Sequence, residues 1–296
     1  MQTKCISLSL LFSIFLVSCG SHKLDGLALE RLYLGQEPPG STPERFVPGI
    51  ISTEHWEYSG TFTPDLKEFY FLRNGGKHEK PTFVVFRYED GQWRESVVSR
   101  WVGQPFISPD GKTMHLGAKY MERTADGWSE VKSLGPMFDR EDWAIMRLSS
   151  SAQGTYVLDD FKSGDVIRMS TLKDGVRQEP ELLGKEINTG KFNAHPFIAP
   201  DGSYLIWDGE RDEGFGDSDL WISYRREDGS WGDAINLGDS INTSVWEAGA
   251  SVTPDGKFLL FNRSVPSENS ADPYPVDIFW VSAEFIGRLK PKVESK

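Results

Sequence analysis

The stretches TPDLKEFYF (residues 63–71), SPDGKTMHL (108–116), APDGSYLIW (199–207) and TPDGKFLLF (253–261) decide the fold. In each stretch a Pro-Asp turn leads into a short run of apolar residues, and a large aromatic lies nine residues before the Asp. Pro favours the second position of a tight turn, Asp can cap it, and Gly tolerates positive φ. The four stretches therefore predict four β-hairpins of one repeated kind.

A fifth, degenerate copy runs from Trp143 to Gln153, where the turn reads Ala-Gln-Gly. The five turns lie at positions 65, 110, 153, 201 and 255, so the repeats are 43 to 54 residues long. A repeat of about 40–50 residues that is filled with short strands is typical of a propeller blade.

A second fixed spacing supports this interpretation. A Leu-Gly pair ends the fourth predicted strand of three repeats, and Leu134, Leu183 and Leu237 each lie nine residues before the next aromatic. Asp-Gly hairpin turns follow the third strands. The sequence predicts an all-β, five-bladed β-propeller with four-stranded antiparallel blades. Six blades are the alternative, if the 54-residue interval contains two units.

Propellers avoid an open sheet edge by closing one blade with strands from both ends of the chain. Residues 31–35 (RLYLG) resemble the end of a fourth strand, but no first three strands precede them. The last repeat has a third strand at 277–282 and no clear fourth strand. We therefore expect residues 28–35 to close the last blade.

The Pro-Asp-Gly units resemble the WD-like repeats of the TolB-type propeller superfamily over nearly the whole of residues 28–290. Residues 33–71, with the SDLW (218–221) and DIFW (277–280) segments, look like a group of uncharacterised propellers of the cell envelope. The degenerate turn at 151–153 departs from the pattern. Because one fold supports many activities, this resemblance implies the architecture alone.

The first residues read as a targeting segment. One Lys precedes an apolar run that is too short to span a bilayer, and the run ends in LVSCG at 16–20. This ending resembles a bacterial lipobox, which implies a signal peptide at 1–18, a lipidated Cys19 and a tether at 19–27. An ordinary cleaved secretion signal is the alternative. The propeller would occupy 28–290, followed by a tail at 291–296. The same resemblance implies, from Gly20 where an Asp would favour the inner membrane, anchoring at the periplasmic face of the outer membrane.

Charge limits the partners. The chain carries 32 basic and 44 acidic residues, a net charge of −12. A strongly acidic surface repels nucleic-acid phosphates, so no nucleic-acid partner is expected. Loss of Cys5 with the signal and acylation of Cys19 would leave no thiol for a disulfide or a metal site. We expect a monomer that is attached to the membrane by its acyl chains.

The recurring aromatics allow two interpretations. They lie directly before the strand that should line the axis, and they are Trp56, Trp101, Trp143, Phe192 and Trp246. They could pack as wedges between blades, or Trp56, Trp101 and Trp246 could form a stacking platform for a sugar or a peptide. Asn193, His195 and Arg147 are further candidates for ligand binding in the channel.

Glu57 and Glu247 directly follow two of these aromatics in blades that would be neighbours in a ring. Two facing carboxylates could act as the acid and base of a glycosidase, with His195 as another candidate catalytic group. Alternatively, both glutamates accept backbone hydrogen bonds at the start of a strand.

The acidic loop at 208–219 offers Asp208, Asp212, Asp217 and Asp219 as calcium ligands, although its spacing is not that of an EF-hand. A solvated loop is the other interpretation, and no cofactor is expected. Taken together, these features favour a non-catalytic binding platform for an envelope protein or glycan. A carbohydrate-active hydrolase or lyase with acidic residues in the channel is the alternative.

Overall fold

Five antiparallel sheets of four strands form a five-bladed β-propeller in the computed structural model, which describes residues 32–265 and 275–292. The predicted architecture and number of blades are confirmed. Each Pro-Asp turn joins the first strand of a blade, which lies nearest the axis, to the second strand. We call the end of the channel where the first strands begin the upper face and the end with the Pro-Asp turns the lower face.

The blades follow one another along the chain. Blade 1 contains β2 (Trp56–Phe62), β3 (Glu68–Gly75), β4 (His78–Glu89) and β5 (Gln92–Arg100). Blade 2 contains β6 (Pro105–Ile107), β7 (Thr113–Leu116), β8 (Lys119–Thr124) and β10 (Lys132–Ser133), with β9 (Gly127–Trp128) paired to β8. Blade 3 contains β11 (Leu148–Ser150), β12 (Tyr156–Asp160), β13 (Val166–Ser170) and β16 (Glu181–Leu182), and it carries the hairpin β14 (Leu172–Lys173) and β15 (Val176–Arg177).

Blades 4 and 5 complete the ring. Blade 4 contains β17 (Lys191–Ile198), β18 (Tyr204–Glu210), β19 (Asp219–Tyr224) and β20 (Ile235–Asn236). Blade 5 contains β21 (Glu247–Val252), β22 (Phe258–Ser264), β23 (Val276–Ser282) and β1 (Glu44–Arg45). A short 3₁₀ helix (Tyr33–Gly35) precedes the ring, and α1 (Glu284–Leu289) follows it.

The Pro-Asp turns are held by their own side chains. The Asp110 carboxylate accepts hydrogen bonds from Ser108 Oγ at 2.6 Å and from Lys112 N at 3.0 Å. The Ser108 hydrogen bond, with the backbone of Lys112, lowers the pKa of Asp110. Blade 1 forms the same turn although Leu66 replaces Gly, and Leu66 takes a φ of 59° while its side chain is buried. Burial of the leucine offsets the strain that positive φ imposes on a non-glycine residue.

Hydrophobic residues pack between adjacent blades. The second strands β3, β18 and β22 have neighbours on both faces, so each contains a continuous apolar run rather than an alternating pattern. In β3, for example, Phe69, Tyr70 and Phe71 are all fully buried. The core therefore extends around the ring as contacts from one blade to the next.

The chain closes the ring with a strand from its N-terminal part, but the expected residues were wrong. The outer strand of blade 5 is β1, in which Glu44 pairs with Trp280 and Arg45 with Phe279. Residues 32–35 instead form the 3₁₀ turn, with φ of 50° at Tyr33 and 56° at Leu34. Two successive residues with positive φ cannot continue an extended strand. Residues 28–31 lie outside the described residues.

Tyr33 serves the closure in another way. Its ring packs edge-on against Phe258, with centroids 5.1 Å apart, and against Phe62, which belongs to blade 1. Its hydroxyl donates a hydrogen bond to Asp255. Burial, with Asp255, raises the pKa of Tyr33 well above its ordinary value. The resemblance of RLYLG to a strand end thus misled because Tyr33 is an aromatic anchor.

Phe46, directly after β1, tests the closure. Its fully buried ring lies 4.9 Å from Phe69 of blade 1 and 5.1 Å from Trp280 of blade 5, measured between centroids. Phe46→Ala should lower the free energy of unfolding by about 3–5 kcal/mol, because it leaves a cavity across the seam. Urea unfolding measures the loss. Ile50→Ala, at a half-exposed side chain nearby, is the control and should change it by less than about 0.5 kcal/mol; equal effects of the two variants would contradict this account of closure.

Candidate functional site

One equivalent position in each blade meets at the channel axis. The strand registers align the bulged residue of β2 with those of β17 and β21. The corresponding residues of blades 2 and 3 directly precede β6 and β11, at the same distance from the turn. These five axial residues are Ser59, Gln104, Arg147, His195 and Gly249. All of those with side chains are polar and nearly fully buried. The axis is therefore a buried polar column inside an apolar ring.

Three of the axial residues lie in β-bulges. Ser59, His195 and Gly249 have φ of 59°, 47° and 62°, and the register of their strands shifts at these points. A bulge leaves one residue without its partner in the ladder, so its N–H group needs another acceptor.

A side chain from the preceding blade supplies that acceptor. Asn262 Oδ1 accepts from Ser59 N at 2.9 Å, because blade 5 precedes blade 1 in the ring. The Asp159 carboxylate accepts from His195 N at 3.0 Å, and Asp208 accepts from Gly249 N at 2.9 Å. Each acceptor occupies the same place in its second strand. We call these three hydrogen bonds the inter-blade stitches.

The stitches are missing on one side of the ring. The residues equivalent to Asp159, Asp208 and Asn262 are Leu72 in blade 1 and Gly117 in blade 2, and neither carries a side-chain acceptor. On this side the channel widens at the upper face into a cavity of about 880 Å³. Its lining consists of Trp56, Tyr58, Leu72, Asn74, Pro81, Trp101, Val102, Gly103, Gln104, Leu116, Lys119, Ile145, Met146, Phe161, His195 and Trp246. We call it the upper cavity.

Three of the five recurring aromatics line the upper cavity. The Tyr58 ring is stacked with Trp56 and with Trp246, at centroid distances of 5.2 and 5.9 Å and interplanar angles of 15°. Trp101 is 54% exposed. An exposed tryptophan and a stacked group of rings at one cavity mouth offer flat apolar faces to a ligand.

The other two aromatics behave differently. Trp143 is buried between the guanidinium groups of Arg140 and Arg168, each 4.5 Å from its ring centroid. Phe192 is 57% exposed and does not line the cavity. The repeat thus places an aromatic at each blade start, and the surroundings decide whether it is a wedge or part of the cavity wall.

His195 links the upper cavity to the polar column. Its Nδ1 lies 3.0 Å from both Asp208 carboxylate oxygens, and its Nε2 lies 3.3 Å from the Tyr58 hydroxyl. Burial opposes the charged imidazolium, but the charge and hydrogen bond of Asp208, together with Asp159, outweigh burial and raise the pKa of His195. Burial and the Asp208 charge also raise the pKa of Tyr58. This chain of three groups can hold a proton at the cavity floor.

Arg147 lies in the column and not in the cavity lining. It is 1% exposed, and its Nε and Nη1 have no hydrogen-bond partner among the described residues. Burial lowers the pKa of Arg147, while Tyr58, Asp208 and Asp159 oppose this effect. Burial also raises the pKa of Asp159, while the charge of His195 and hydrogen bonds from backbone N–H groups oppose this shift.

Glu57 braces the start of blade 1. Its carboxylate accepts hydrogen bonds from Thr53 N at 3.0 Å and Thr53 Oγ1 at 2.6 Å. Arg73 Nε lies 3.1 Å away and completes the set. Asp277 of blade 5 also lies close, and burial raises the pKa of Asp277 to about 6, with Arg45 opposing the shift and Glu57 adding to it.

Glu247 forms the same brace in blade 5. Thr243 N and Oγ1 donate to it at 2.9 and 2.6 Å, and Arg263 Nε lies 2.8 Å away. Burial raises the pKa of Glu247, with Thr243 and Arg263 opposing the shift. Neither Glu57 nor Glu247 lines the upper cavity. The structure places the two glutamates in separate backbone braces, in line with the alternative that they cap strand starts.

Asn193 is also engaged locally. It is buried, and in the amide orientation that satisfies the network its nitrogen donates to the Thr189 and Ile187 carbonyls at 3.2 and 3.3 Å. It therefore ties β17 to the loop before it and lies outside the cavity lining.

The calcium candidates are distributed over two sites. Asp208 belongs to the column, whereas Asp219 accepts from Phe215 N, Gly216 N and Asn236 Nδ2. Asp212 and Asp217 are exposed in the loop. Within residues 32–265 and 275–292, no group of three or more His, Cys, Asp or Glu side chains is arranged to hold a metal ion.

Sequence reasoning missed Gln104, Tyr58 and Asp159. Gln104 is 6% exposed, lines the cavity, and has an Oε1 with no partner in the described part of the chain. A signal was present, because Ser59, Gln104, His195 and Gly249 are each the third residue after the recurring aromatic. For Tyr58 and Asp159 the sequence carries no such signal, and only their contacts in the folded structure reveal their place at the site.

Several solved structures are similar in fold. A TolB from Acinetobacter baumannii has 15% identity and a TM-score of 0.46, over 77% of this chain and 57% of that one. A GH62 hydrolase in complex with xylotriose has 11% identity and a TM-score of 0.48, over 84% and 99%. A gluconolactonase from Xanthomonas campestris has 10% identity and a TM-score of 0.46, over 82% and 94%.

This chain thus spans just over half the length of that TolB, and likeness at these identities concerns the fold alone. No protein family and no curated protein matches the sequence. In the part of the chain that the structure describes, no helix has the length and apolar character needed to cross a bilayer.

The His195–Asp208 pair predicts a pH dependence. A raised pKa means that protonated His195 stabilises the fold at pH below about 6.5, the unfolded value, and that this stability is lost as the pH rises through the folded value. NMR titration of the histidine ring protons should give a His195 midpoint above about 6.5. Asp208→Asn, which keeps an oxygen acceptor for Gly249 N, should lower that midpoint.

His115 provides the internal reference, because burial lowers its pKa to about 3 and its resonance should not titrate above pH 5. A His195 midpoint at or below the unfolded value, or one that Asp208→Asn leaves in place, would contradict the proposed pairing.

Proposed function

We propose that this chain is a non-catalytic binding platform of the cell envelope and that its upper cavity binds a glycan. The observation that supports the proposal is the composition of the cavity. Trp56, Trp101 and Trp246 offer aromatic faces, and no carboxylate is among the residues that line it. Sugar rings present C–H faces that pack on aromatic rings, and a glycan needs no charged partner.

Polar groups at the floor add a second line of support. Gln104 brings a buried oxygen that has no partner among residues 32–265 and 275–292, and an unpaired buried acceptor costs about 1–3 kcal/mol. A hydroxyl group of a ligand could donate to it. Asn74 and Lys119 lie at the same cavity and can serve further hydroxyls. A volume of about 880 Å³ is suited to a short oligosaccharide.

The rival function, a carbohydrate-active hydrolase or lyase, has one favourable observation. The Tyr58–His195–Asp208 chain could move a proton at the cavity floor. Glu57 and Glu247 do not support it, since both carboxylates are held in their braces. In this second candidate, His195 would act as the acid or base.

Trp101 and Phe192 allow a matched test of glycan binding. Their exposed fractions are nearly equal, at 54% and 57%, so truncation of either should cost little stability. Titration calorimetry with a panel of envelope oligosaccharides should detect binding by the wild type. Trp101→Ala should weaken that binding about tenfold or more, and Phe192→Ala should leave it unchanged.

Three outcomes would go against the proposal. If Trp101→Ala and Phe192→Ala reduced the glycan affinity equally, the upper cavity would not be the binding site. Absence of binding across the panel, with capture of an envelope protein that Trp101→Ala abolishes, would replace the glycan with a protein partner. Shortened or unsaturated products that disappear in His195→Gln would establish the enzyme instead.

The envelope location rests on Cys19, which lies outside the described residues. We expect the wild-type protein in the membrane fraction, with a mature N-terminus at an acylated Cys19 that intact-mass spectrometry identifies. Cys19→Ser should move the propeller to the soluble fraction without changing its melting temperature. Membrane attachment that survives this substitution would exclude the lipid anchor.

A further inference from the structure

A second pocket lies at the lower face, between blades 2 and 3, and is independent of the upper cavity. Its volume is about 380 Å³. The degenerate turn of blade 3 contributes to it: Ser151 N bonds to Thr155 O, one residue closer than the equivalent bond from Thr63 N to Glu68 O. The residues that define this blade 2–3 pocket are Asp110, Thr113, His115, Ser151, Tyr156 and Arg177.

His115 reaches the pocket from the core. It is 1% exposed, and its Nδ1 has no hydrogen-bond partner in the described residues. Burial, with the nearby Arg177 charge, lowers the pKa of His115 to about 3, so the ring is neutral at physiological pH. A neutral imidazole with one nitrogen free can donate a hydrogen bond from that nitrogen. A buried His115 nitrogen without this hydrogen bond lowers the stability of the fold.

Arg177 forms the wall of the pocket. Its guanidinium carbon lies 3.6 Å from the Tyr156 ring centroid, and Nη1 donates to the carbonyls of Gly154 at 2.6 Å and Ser170 at 3.1 Å. Among residues 32–265 and 275–292, no carboxylate forms an ion pair with it. Burial lowers the pKa of Arg177, with Tyr156 opposing the shift. Arg177 is therefore a half-buried cation that lacks an anion.

The equivalent place between blades 1 and 2 does contain an anion. Glu68, the first residue of β3, accepts from Arg87 Nε at 2.9 Å and from Arg123 Nη1 at 2.5 Å. Two residues later, Tyr70 OH accepts from Trp128 Nε1 at 2.9 Å. The carboxylate thus bridges two arginines above a satisfied polar core residue.

Internal symmetry shows what the blade 2–3 pocket lacks. Thr113 begins β7 as Glu68 begins β3, and His115 occupies the place of Tyr70. Thr113 offers no carboxylate, and the Asp110 carboxylate in the pocket wall already accepts from Ser108 Oγ and Lys112 N, as Asp65 does in the equivalent turn of blade 1. The cross-strand neighbour of Thr113, Glu122, is exposed and pairs with Lys132, so it does not substitute. One interface has a carboxylate between two arginines. In the next, among the described residues, Arg177 has no ion pair and His115 Nδ1 has no hydrogen bond.

We propose that the blade 2–3 pocket binds a small organic carboxylate, whose oxygens pair with Arg177 and accept a hydrogen bond from His115, in the place that Glu68 fills in the neighbouring interface. Guanidinium–carboxylate pairs are strong in sheltered sites, because the geometry is matched and water is partly excluded. The pocket volume, about 380 Å³, suits a free acid of a few carbon atoms rather than a polymer.

Acetate and lactate are the probes, followed by titration calorimetry and by the His115 ring resonances in NMR spectra. We expect saturable binding and a shift of the His115 signals. Arg177→Gln should weaken binding about tenfold or more. Arg94→Gln makes the same change in net charge at an exposed pair with Asp90 and should leave the affinity unchanged.

Thr113→Glu gives the sharpest test, because it builds the missing carboxylate into the chain. This variant should no longer bind acetate, and the melting temperature of the ligand-free protein should equal or exceed that of the wild type. Chloride and inorganic phosphate complete the set of probes, and both should bind more weakly than the carboxylates.

Several results would overturn the proposal: no saturable binding of acetate or lactate, unchanged affinity in Arg177→Gln, or acetate binding that persists in a folded Thr113→Glu variant. Phosphate or chloride binding that equals carboxylate binding would make the pocket a general anion site and would reject the assigned class. None of these results depends on whether the upper cavity binds a glycan.

Discussion

Hydrogen bonds from the bulge N–H groups to side chains of the preceding blade are the constraint on which the channel depends. A bulge at the axis turns a backbone donor away from its own sheet, and a buried donor must find an acceptor. Asp159, Asp208 and Asn262 provide it, each from one blade to the next. Three adjacent seams of the ring are thereby tied together by buried polar contacts, in addition to apolar packing.

The same constraint explains why the channel is asymmetric. Where the acceptor position holds Leu72 or Gly117, no stitch forms and the upper cavity opens. The backbone approaches closely beside the cavity: a Cβ on Gly117 would lie 2.5 Å from Ile145 O, and one on Gly103 would lie 2.4 Å from Leu116 O. Substitution there would force the backbone apart. The inter-blade stitches lie on one side of the ring, and the upper cavity lies on the other.

Much of the fold could be predicted because its determinants are local. The Pro-Asp turns, the Asp-Gly hairpins and the apolar runs act over a few residues, so their spacing gave the number of blades and most strands. The closing strand could not be found in this way. Its place depends on contacts such as Ser52 Oγ with Ile278 O, 226 residues apart, and no local pattern distinguishes Glu44–Arg45 from other short polar segments.

The candidate site divides in the same manner. Trp56, Trp101 and Trp246 were suggested by their recurring position and His195 by its place in a predicted inner strand, and the structure brings the four to one cavity. Glu57 and Glu247 directly follow two of these tryptophans, yet each is bound by a threonine four residues earlier and by an arginine from the next strand. The position in the sequence predicted which residues lie near the channel, and their hydrogen-bond partners in the structure determined what each side chain can do.

The sequence by itself determined the repeat, the turn chemistry and the aromatic at the start of each blade, because these follow from backbone preferences and short-range periodicity. Only the tertiary structure decided at which equivalent positions a change of residue alters the contacts between blades. Leu72, Gly117 and Thr113 are unremarkable in the chain, and they matter because they stand where other blades place a hydrogen-bond acceptor or a carboxylate. The difference has a consequence only because folding arranges the five repeats around one axis and brings equivalent positions next to one another.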